Sequence, residues 1–150
     1  MRIREATVSD IPEMQIVRHS VTENVLSDPS VVPDSAYIEY LTDRGKGWVA
    51  SDKSMILGFA IVDLRDENVW ALFMLPKFEG KGIGRSLHNT MLDFYFDTGK
   101  TTLWLGTEPG TRAERFYRKA GWRETGVHGK GEIKFEISKS TWLKIKQKQL

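Results

Sequence analysis

The alternation of hydrophobic and polar positions predicts strands along most of the chain. The segment GEIKFEISKSTW places Ile133, Phe135 and Ile137 on one side and charged residues on the other, a period of two that is typical of a half-buried strand. Further apolar runs bounded by turn residues predict strands in RIREA, KGWVAS, MILGFAIVDL, VWALFML and TTLWLGT. Because short polar turns join the three central runs, we expect those strands to pair in antiparallel fashion.

Hydrophobic residues recur at helical spacing in four segments between these strands. The first segment, TVSDIPEMQIVRHSV, is predicted to begin at a cap formed by Thr7 or Ser9. Its mostly apolar stripe consists of Ile11, Met14, Val17, Arg18 and Val21. A short second helix is predicted after a cap at Asp34, a third ends near Gly99, and the fourth is TRAERFYRKAG.

The order of these elements predicts a single α/β (α+β) domain spanning residues 1–150. The sequence contains no internal repeat and no linker-like segment that would divide it. The basic tail, residues 139–150, contains four lysines and no acidic residue, and we expect it to fray in solvent.

Composition excludes several classes of function. The chain contains no cysteine, so a disulfide, a thiolate metal site and a cysteine nucleophile are all excluded. The 22 basic and 20 acidic residues are mixed along the chain, and without a long basic stripe we expect no nucleic-acid partner. The three histidines are not spaced as metal ligands, so no metal is expected. With neither a long apolar run nor a signal-like start, the chain is expected to be cytoplasmic and without a membrane partner.

A loop with three glycines, KFEGKGIGRS, is the first candidate for chemistry because such loops commonly bind phosphate. A nucleotide-triphosphate loop would need glycine at Glu79 and lysine at Arg85, and both differ. A dinucleotide fingerprint would need a third glycine where the chain has Arg85 or Leu87. Neither pattern fits the spacing.

The segment MLPKFEGKGIGRSL resembles the acyl-CoA pyrophosphate loop of the GCN5-related N-acetyltransferases, whose paired glycines correspond to Gly82 and Gly84. Gly80 lies outside that motif. A glycine backbone that leads into a helix start suits a pyrophosphate, since the first N–H groups and the helix dipole favour an anion. Glu79 departs from the glutamine or arginine that the family commonly has, and its charge disfavours an anion unless the side chain turns outward.

A second motif, GTRAERFYRKAGW, resembles a later helix of the same family. Thr111 and Glu114 have the spacing of a capping box, and Gly110 replaces an asparagine that many relatives have. In the family, the tyrosine at the position of Tyr117 often protonates the leaving CoA thiolate. Tyr117 is therefore the expected general acid, although a core aromatic residue with a structurally bonded hydroxyl is the alternative.

The resemblance implies a mixed sheet of about six or seven strands, about four helices and an acetyl-CoA-dependent N-acetyltransferase. The acetyl group would pass directly to an amine, from a small molecule or a peptide, in a ternary complex. An acyl-CoA-binding or catalytically weakened regulatory module is the alternative, and pairing of strand edges would allow a homodimer. The residues expected to bind the cofactor are Leu72, Phe73, Met74, Lys81, Gly82, Ile83, Gly84, Arg85, Ala113 and Phe116.

The base and the acceptor site are less well defined by the sequence. The strand before the glycine loop contains no acidic residue, so Glu67 and Glu108 are weak candidates for the general base. Residues expected to contact the acceptor are chosen by position in the first two helices and the central strands. They are His19, Glu23, Tyr37 and Trp70.

Overall fold

A computed structural model of the chain describes residues 1–21 and 32–149. The chain divides into two compact units, Met1–Asp93 and Phe94–Leu150. Seven strands and five α-helices occur in the described ranges, and their order confirms the predicted α/β class.

The first unit is built on four strands, each paired antiparallel with the next. They are β1 (Arg2–Glu5), β2 (Gly45–Asp52), β3 (Met55–Asp63) and β4 (Asn68–Met74). The predicted runs thus form strands at the predicted positions. The β3–β4 register shifts at Ile61/Val62, where Ala71 pairs with Ile61 and Val69 with Val62. Trp70 is therefore the extra residue of a β-bulge.

Two helices follow the first strand, α1 (Ile11–Ser20) and α2 (Asp34–Glu39). Helix α1 begins later than the Thr7 or Ser9 cap predicts, because a 3₁₀ turn, Val8–Asp10, comes first. The carboxylate of Asp10 accepts from the Thr7 N–H at 2.8 Å and closes that turn. Asp34 is the first residue of α2, and not its cap, since Pro33 occupies the N-cap position.

The core of the first unit lies between α1, α2 and one face of the strands. Its centre consists of fully buried side chains, those of Met14, Tyr37, Val49, Phe59 and Ile61. Burial of such side chains contributes about 1.5–3 kcal/mol each. This packing fixes the helix-side face of β4, where Trp70 and Phe73 pack against the same core.

Helix α3 (Ile83–Asp97) follows the glycine loop and ends before Gly99, whose φ of 98° gives the predicted helix stop. Its Leu87 lies close to Gly58 of β3: a Cβ atom at Gly58 would come within 2.4 Å of the Met74 sulfur and 3.2 Å of a Leu87 methyl. The absence of a side chain at Gly58 therefore lets the start of α3 approach β3.

The second unit contains three strands and two helices besides the end of α3. They are β5 (Thr102–Thr107), α4 (Arg112–Lys119), β6 (Arg123–His128), β7 (Glu132–Ser138) and α5 (Lys139–Lys148). Strand β7 pairs antiparallel with both β5 and β6. As predicted, Phe135 and Ile137 of β7 are buried.

Two elements of the second unit differ from the sequence prediction. Strand β6 was not predicted, because all six of its residues are exposed and no apolar alternation marks it. The expectation of a fraying tail was wrong for Lys139–Lys148, which form helix α5. The side chain of Ser138 caps this helix by accepting from the Thr141 N–H, and Trp142 is only 2% exposed. Buried Trp142, together with half-buried Ile145 beside Gly121, thus anchors this lysine-rich helix.

Candidate active site

The glycine loop adopts a backbone conformation that two of its glycines make accessible. After β4 the chain makes a 3₁₀ turn, Pro76–Phe78, and then passes Gly80 and Gly82, with φ of 77° and 83°. This left-handed region is unfavourable for residues with a side chain. A Cβ atom at Gly82 would meet nothing within 4 Å, so conformation, and not crowding by protein, requires glycine there. Gly80, outside the recognised motif, has the same requirement.

The loop leads directly into the N-terminus of α3. The Ser86 N–H donates to the Gly82 carbonyl at 3.0 Å, so the N–H groups of Ile83, Gly84 and Arg85 precede the intrahelical ladder. No acidic residue lies in the first turn of this 15-residue helix. The N–H groups and the dipole of α3 therefore form an electropositive helix start beside the open backbone of Gly82.

The side chains of the loop add charges of both signs. Lys81 and Arg85 are exposed, and the Lys81 ammonium lies 5.5 Å from the centre of the Phe78 ring. Glu79 is half-buried and has extended backbone angles, φ −67° and ψ 154°. Lys77 is exposed as well, so the loop keeps three solvent-accessible cations, while its one carboxylate is partly withdrawn from solvent.

The end of β4 supplies the backbone that the family resemblance assigns to the acyl arm. Leu72, Phe73 and Met74 pair with Ala60, Phe59 and Gly58 of β3 and are all half-buried. Phe73 packs against the core below α1 and α2, whereas Met74 approaches Gly58 on the α3 side. Alternation along the strand thus gives β4 two differently lined faces.

Tyr117 is almost wholly buried in the second unit. It is 6% exposed, and its ring lies 5.2 Å from Phe116, 5.4 Å from Trp122 and 6.3 Å from Phe135. Within the described ranges no residue forms a hydrogen bond with its hydroxyl. Burial raises the pKa of the Tyr117 phenol above its ordinary value, so this side chain keeps its proton at neutral pH.

The start of α4 is capped largely as the sequence predicts. The Thr111 hydroxyl accepts from the Glu114 N–H at 3.2 Å and donates to the Glu108 carbonyl at 2.8 Å. In a capping box the Glu114 carboxylate would accept from the N–H of Thr111. Here it accepts instead from the Gly110 N–H, at 2.7 Å. This bond and the Arg118 guanidinium lower the pKa of Glu114. Gly110, with φ of 77°, thus takes part in the turn that precedes α4.

The other cofactor candidates in α4 lie on the same side of the helix as Tyr117. Ala113 and Phe116 are half-buried, whereas the flanking Arg112 and Arg115 are exposed. The small side chain of Ala113 leaves room for a close approach to this side of the helix. Their role in binding stays a prediction.

The two base candidates lie in turns. Glu67, half-buried with φ of 58°, precedes β4 and is separated from Leu72 by five strand positions, about 16 Å. Glu67 therefore lies at the end of β4 opposite the glycine loop, and its role as a base stays a prediction. Glu108 is exposed and follows β5 in the second unit. Its role as a base stays a prediction.

The acceptor candidates have different environments. Glu23 lies outside the described residues. His19 is exposed at the end of α1, and Tyr37 is a 0% exposed core residue, which corrects the expectation that its ring contacts an acceptor. Trp70 is half-buried and stacks on Tyr40 with ring centres 4.3 Å apart. Of the two aromatic candidates, Trp70 is the one whose side chain is partly exposed to solvent.

Sequence reasoning missed Arg18, whose guanidinium contacts both Tyr37 and Trp70. The signal was present in the sequence, because Arg18 is the one charged member of the apolar stripe predicted for α1.

An open groove of about 330 Å³ lies elsewhere, at the edge formed by β1 and β2. Arg2, Arg4, Glu13 and Lys53 are among its lining residues, and it contains none of the predicted site residues. Across residues 1–21 and 32–149, no cluster of histidine, aspartate and glutamate side chains is arranged to hold a metal. None of the helices in those ranges is long and apolar enough to cross a membrane.

Comparison with known proteins identifies the family. The sequence model of the acetyltransferase (GNAT) family matches residues 14–122. Because this match covers well over half of the 150 residues, the chain belongs to the GNAT acetyltransferase family. The match includes both the glycine loop and the Tyr117 helix.

Individual relatives agree with this assignment. An uncharacterized N-acetyltransferase of Mycobacterium tuberculosis is 34% identical over 96 residues, 61% of this chain and 62% of that protein. The [ribosomal protein bS18]-alanine N-acetyltransferase of Haemophilus influenzae is 28% identical over 78 residues, 51% of this chain and 53% of that protein. The chain therefore spans less than two thirds of the length of these curated relatives.

A solved structure shows the shared fold. The PaiA N-acetyltransferase of Thermoplasma acidophilum, determined in complex with coenzyme A, has a TM-score of 0.81 with this chain. The similarity covers 91% of this chain and 98% of that one at 16% identity. The predicted GNAT fold is thereby confirmed, while residue roles are not transferred at this level of identity.

Proposed function

We propose that this protein is an acetyl-CoA-dependent N-acetyltransferase that acetylates a primary amine directly in a ternary complex. The observation that carries the proposal is the left-handed Gly80–Gly82 backbone leading into the acid-free N-terminus of α3. Such a helix start suits the pyrophosphate of CoA, because N–H groups and the helix dipole both favour the anion. Membership of the GNAT family supports the same assignment.

The residues present fit this co-substrate in a definite way. The N–H groups at Ile83, Gly84 and Arg85 would hold the pyrophosphate, with Lys81 adding positive charge at the rim. The β4 backbone from Leu72 to Met74 would orient the acyl arm. When bound, acetyl-CoA supplies an activated acetyl thioester, from which the acetyl group passes to a neutral amine while CoA departs as its thiol.

Tyr117 is proposed as the proton donor for the departing thiolate. Its raised pKa keeps the phenol protonated, and no described residue occupies its hydroxyl in a hydrogen bond. That finding favours the general acid over the alternative of a core tyrosine whose hydroxyl is satisfied by the fold. The amine must lose its own proton, and we propose that water accepts it, with Glu67 and Glu108 the carboxylate candidates.

We further propose that the protein acts in the cytoplasm on a small-molecule or peptide amine, without a metal and without a nucleic-acid or membrane partner. Homodimer formation through strand edges belongs to the same proposal. An acyl-CoA-binding module with weakened catalysis is the second candidate, and the lack of an acidic residue within β4 (Asn68–Met74) is the observation that favours it.

Thermal unfolding with acetyl-CoA or desulfo-CoA tests the binding step. We expect both ligands to raise the Tm at millimolar concentration, because binding only the folded state stabilises it. Release of CoA thiol in the presence of an amine panel then separates an enzyme from a binding module. Binding without amine-dependent thiol release would support the module, and no rise in Tm with either ligand would contradict both candidates.

A further inference from the structure

Arg18 lies at the centre of an aromatic cluster on the helix side of β4. Its guanidinium carbon is 5.8 Å from the ring centre of Tyr37, 5.2 Å from Trp70 and 4.7 Å from Phe73. Its Nη1 donates to the Tyr37 hydroxyl at 3.0 Å. Contacts from several rings fix the position of the guanidinium, while cation–π attraction leaves most of its N–H donors unused.

The hydrogen bond to Tyr37 does not neutralise this charge. Burial raises the pKa of the Tyr37 phenol, and the nearby guanidinium opposes that rise only in part. The phenol therefore remains neutral at physiological pH and accepts a hydrogen bond without supplying a negative charge. The full positive charge of Arg18 is retained within the cluster.

Two other arginines show what the fold does with partly buried guanidinium groups. Arg4, Arg18 and Arg44 are the partly buried arginines of the chain. Arg4 is paired with Asp10 at 2.8 Å, and Arg44 with Asp63 at 2.8 Å. No carboxylate of the described residues lies within ion-pair distance of Arg18. Among the described residues, Arg18 is therefore the one arginine of these three whose guanidinium has no carboxylate partner and could bind an anion.

The position of Arg18 relates this capacity to the proposed reaction. Phe73, the nearest of its three rings, belongs to the same β4 segment that is proposed to orient the acyl arm. Trp70, the bulged residue of that strand, also contacts the guanidinium and remains half-buried. An anionic group held by Arg18 would thus lie beside aromatic surface on the helix side of β4.

We propose that Arg18 is a specificity-determining residue that selects amine acceptors carrying a carboxylate. This inference rests on the proposed acetyltransferase function and names the class of its acceptor. A planar guanidinium binds a carboxylate through two parallel hydrogen bonds, and partial burial strengthens that pair. Trp70 and Phe73 supply apolar contact for the body of the acceptor. An acceptor with a second cationic group, such as a polyamine, would instead be repelled.

Matched acceptors test the preference. We expect wild-type protein to acetylate phenylalanine with a kcat/KM, expressed per neutral amine, at least about 10-fold above that of phenylalaninamide, which has the same ring and an α-amino group but no carboxylate. Arg18→Gln should reduce this ratio to about 1–2, and Arg18→Lys should restore part of it because a point charge lacks the bidentate geometry. The KM for acetyl-CoA should not change.

The matched control is Arg123→Gln, which removes an exposed arginine from the second unit and should leave the ratio as in wild type. A peptide pair, Ala-Glu and Ala-Gln, distinguishes the source of the carboxylate: a preference limited to phenylalanine indicates the α-carboxylate, and a preference in both pairs indicates that a side-chain carboxylate also binds. A ratio near 1 in wild type, or a ratio unchanged in Arg18→Gln, would overturn the proposal.

A binding measurement separates this inference from the proposed function. With CoA present, N-acetylphenylalanine should change the tryptophan fluorescence and raise the Tm of wild type, whereas N-acetylphenylalaninamide should do neither. Arg18→Gln should lose both responses, and Trp70→Phe should lose the change in fluorescence but keep the rise in Tm. Equal responses to the two probes, or none to either, would contradict the role of Arg18. Failure of the function itself would instead appear as absence of acetyl-CoA-dependent amine acetylation with intact probe binding.

Discussion

The glycine loop and the surroundings of Tyr117 are two regions that depend on different properties of the chain. The loop depends on backbone conformation, with Gly80 and Gly82 in the left-handed region and an exposed rim. Tyr117 depends on burial, with three aromatic neighbours and a raised phenol pKa. Changes in the loop should therefore affect binding of the co-substrate, and changes at Tyr117 should affect the chemical step.

The largest expected effect is at Gly84. In Gly84→Trp, an indole at the second residue of α3 would occupy the space that the proposed pyrophosphate needs, so calorimetric titration with acetyl-CoA should show no binding at millimolar ligand. Gly126→Trp is a matched control, since that glycine lies in the exposed strand β6 and a Cβ atom there meets nothing within 4 Å. Normal binding by Gly84→Trp with an intact fold would show that the loop does not hold the co-substrate.

A smaller but still large effect is expected at Tyr117. In Tyr117→Phe the ring contacts remain and the proton donor is lost, so kcat should fall about 100-fold while the Kd for acetyl-CoA stays within about twofold. Single-turnover kinetics would measure the chemical step directly. Tyr95→Phe serves as a control, since its hydroxyl donates to the Thr102 carbonyl and has a structural role. Unchanged turnover in Tyr117→Phe would remove this residue from the mechanism.

Helix α3 has both properties: it begins at the exposed glycine loop, and further along it contains the buried side chain of His88. Burial lowers the pKa of His88 from 6.5 to about 4, so the folded protein binds this proton less readily than the unfolded chain does. Well above pH 6.5 the His88 imidazole is neutral in both the folded and the unfolded state. As the pH falls from 6.5 towards 4, the unfolded chain binds the proton first, so the free energy of unfolding decreases. The total loss is about 3 kcal/mol, or about 1.4 kcal/mol per pH unit.

Urea unfolding at several pH values checks this dependence. A plot of the free energy of unfolding against pH should have a shallower slope for His88→Gln than for wild type between pH 6.5 and 4, whatever the absolute stability of the variant. Equal slopes in wild type and His88→Gln would mean that His88 titrates normally in the folded protein.

The smallest expected effect is at Glu79, the acidic residue of the loop. Glu79→Gln removes a negative charge near the proposed pyrophosphate and should lower the Kd for acetyl-CoA by about twofold to fivefold at low salt, a gain that 0.5 M salt should largely abolish. Calorimetric titration at two salt concentrations measures it. A higher Kd for acetyl-CoA in Glu79→Gln would show instead that the carboxylate stabilises the conformation of the loop.

The sequence predicted elements well wherever burial leaves a periodic trace. The alternation of Phe135 and Ile137 marked β7, and the capping residue Thr111 marked the start of α4. Strand β6 could not be predicted, since an edge strand with only exposed residues has no apolar period to detect. Helix α5 was missed because its few apolar residues, with Trp142 the buried one, stand among four lysines.

The candidate site shows the same limit. Its loop and Tyr117 could be predicted because they occur in local motifs, which preserve spacing along the chain. For Arg18 the sequence showed only a charge within an apolar stripe. The aromatic rings around it, Tyr37, Trp70 and Phe73, approach it only after α1, α2 and β4 have packed together. Sequence also placed Tyr37 among the acceptor contacts, where packing instead buries its ring and leaves its hydroxyl to Arg18.

Direct acetyl transfer from acetyl-CoA to an amine can be followed in a single turnover. Acetyl-CoA labelled with ¹³C in the acetyl group is used, and the amine, the free CoA and the intact protein are then measured by mass spectrometry. Direct transfer predicts label in the amine in an amount equal to the CoA released, with none on the protein. Label on the protein, or CoA release without labelled amine, would contradict it.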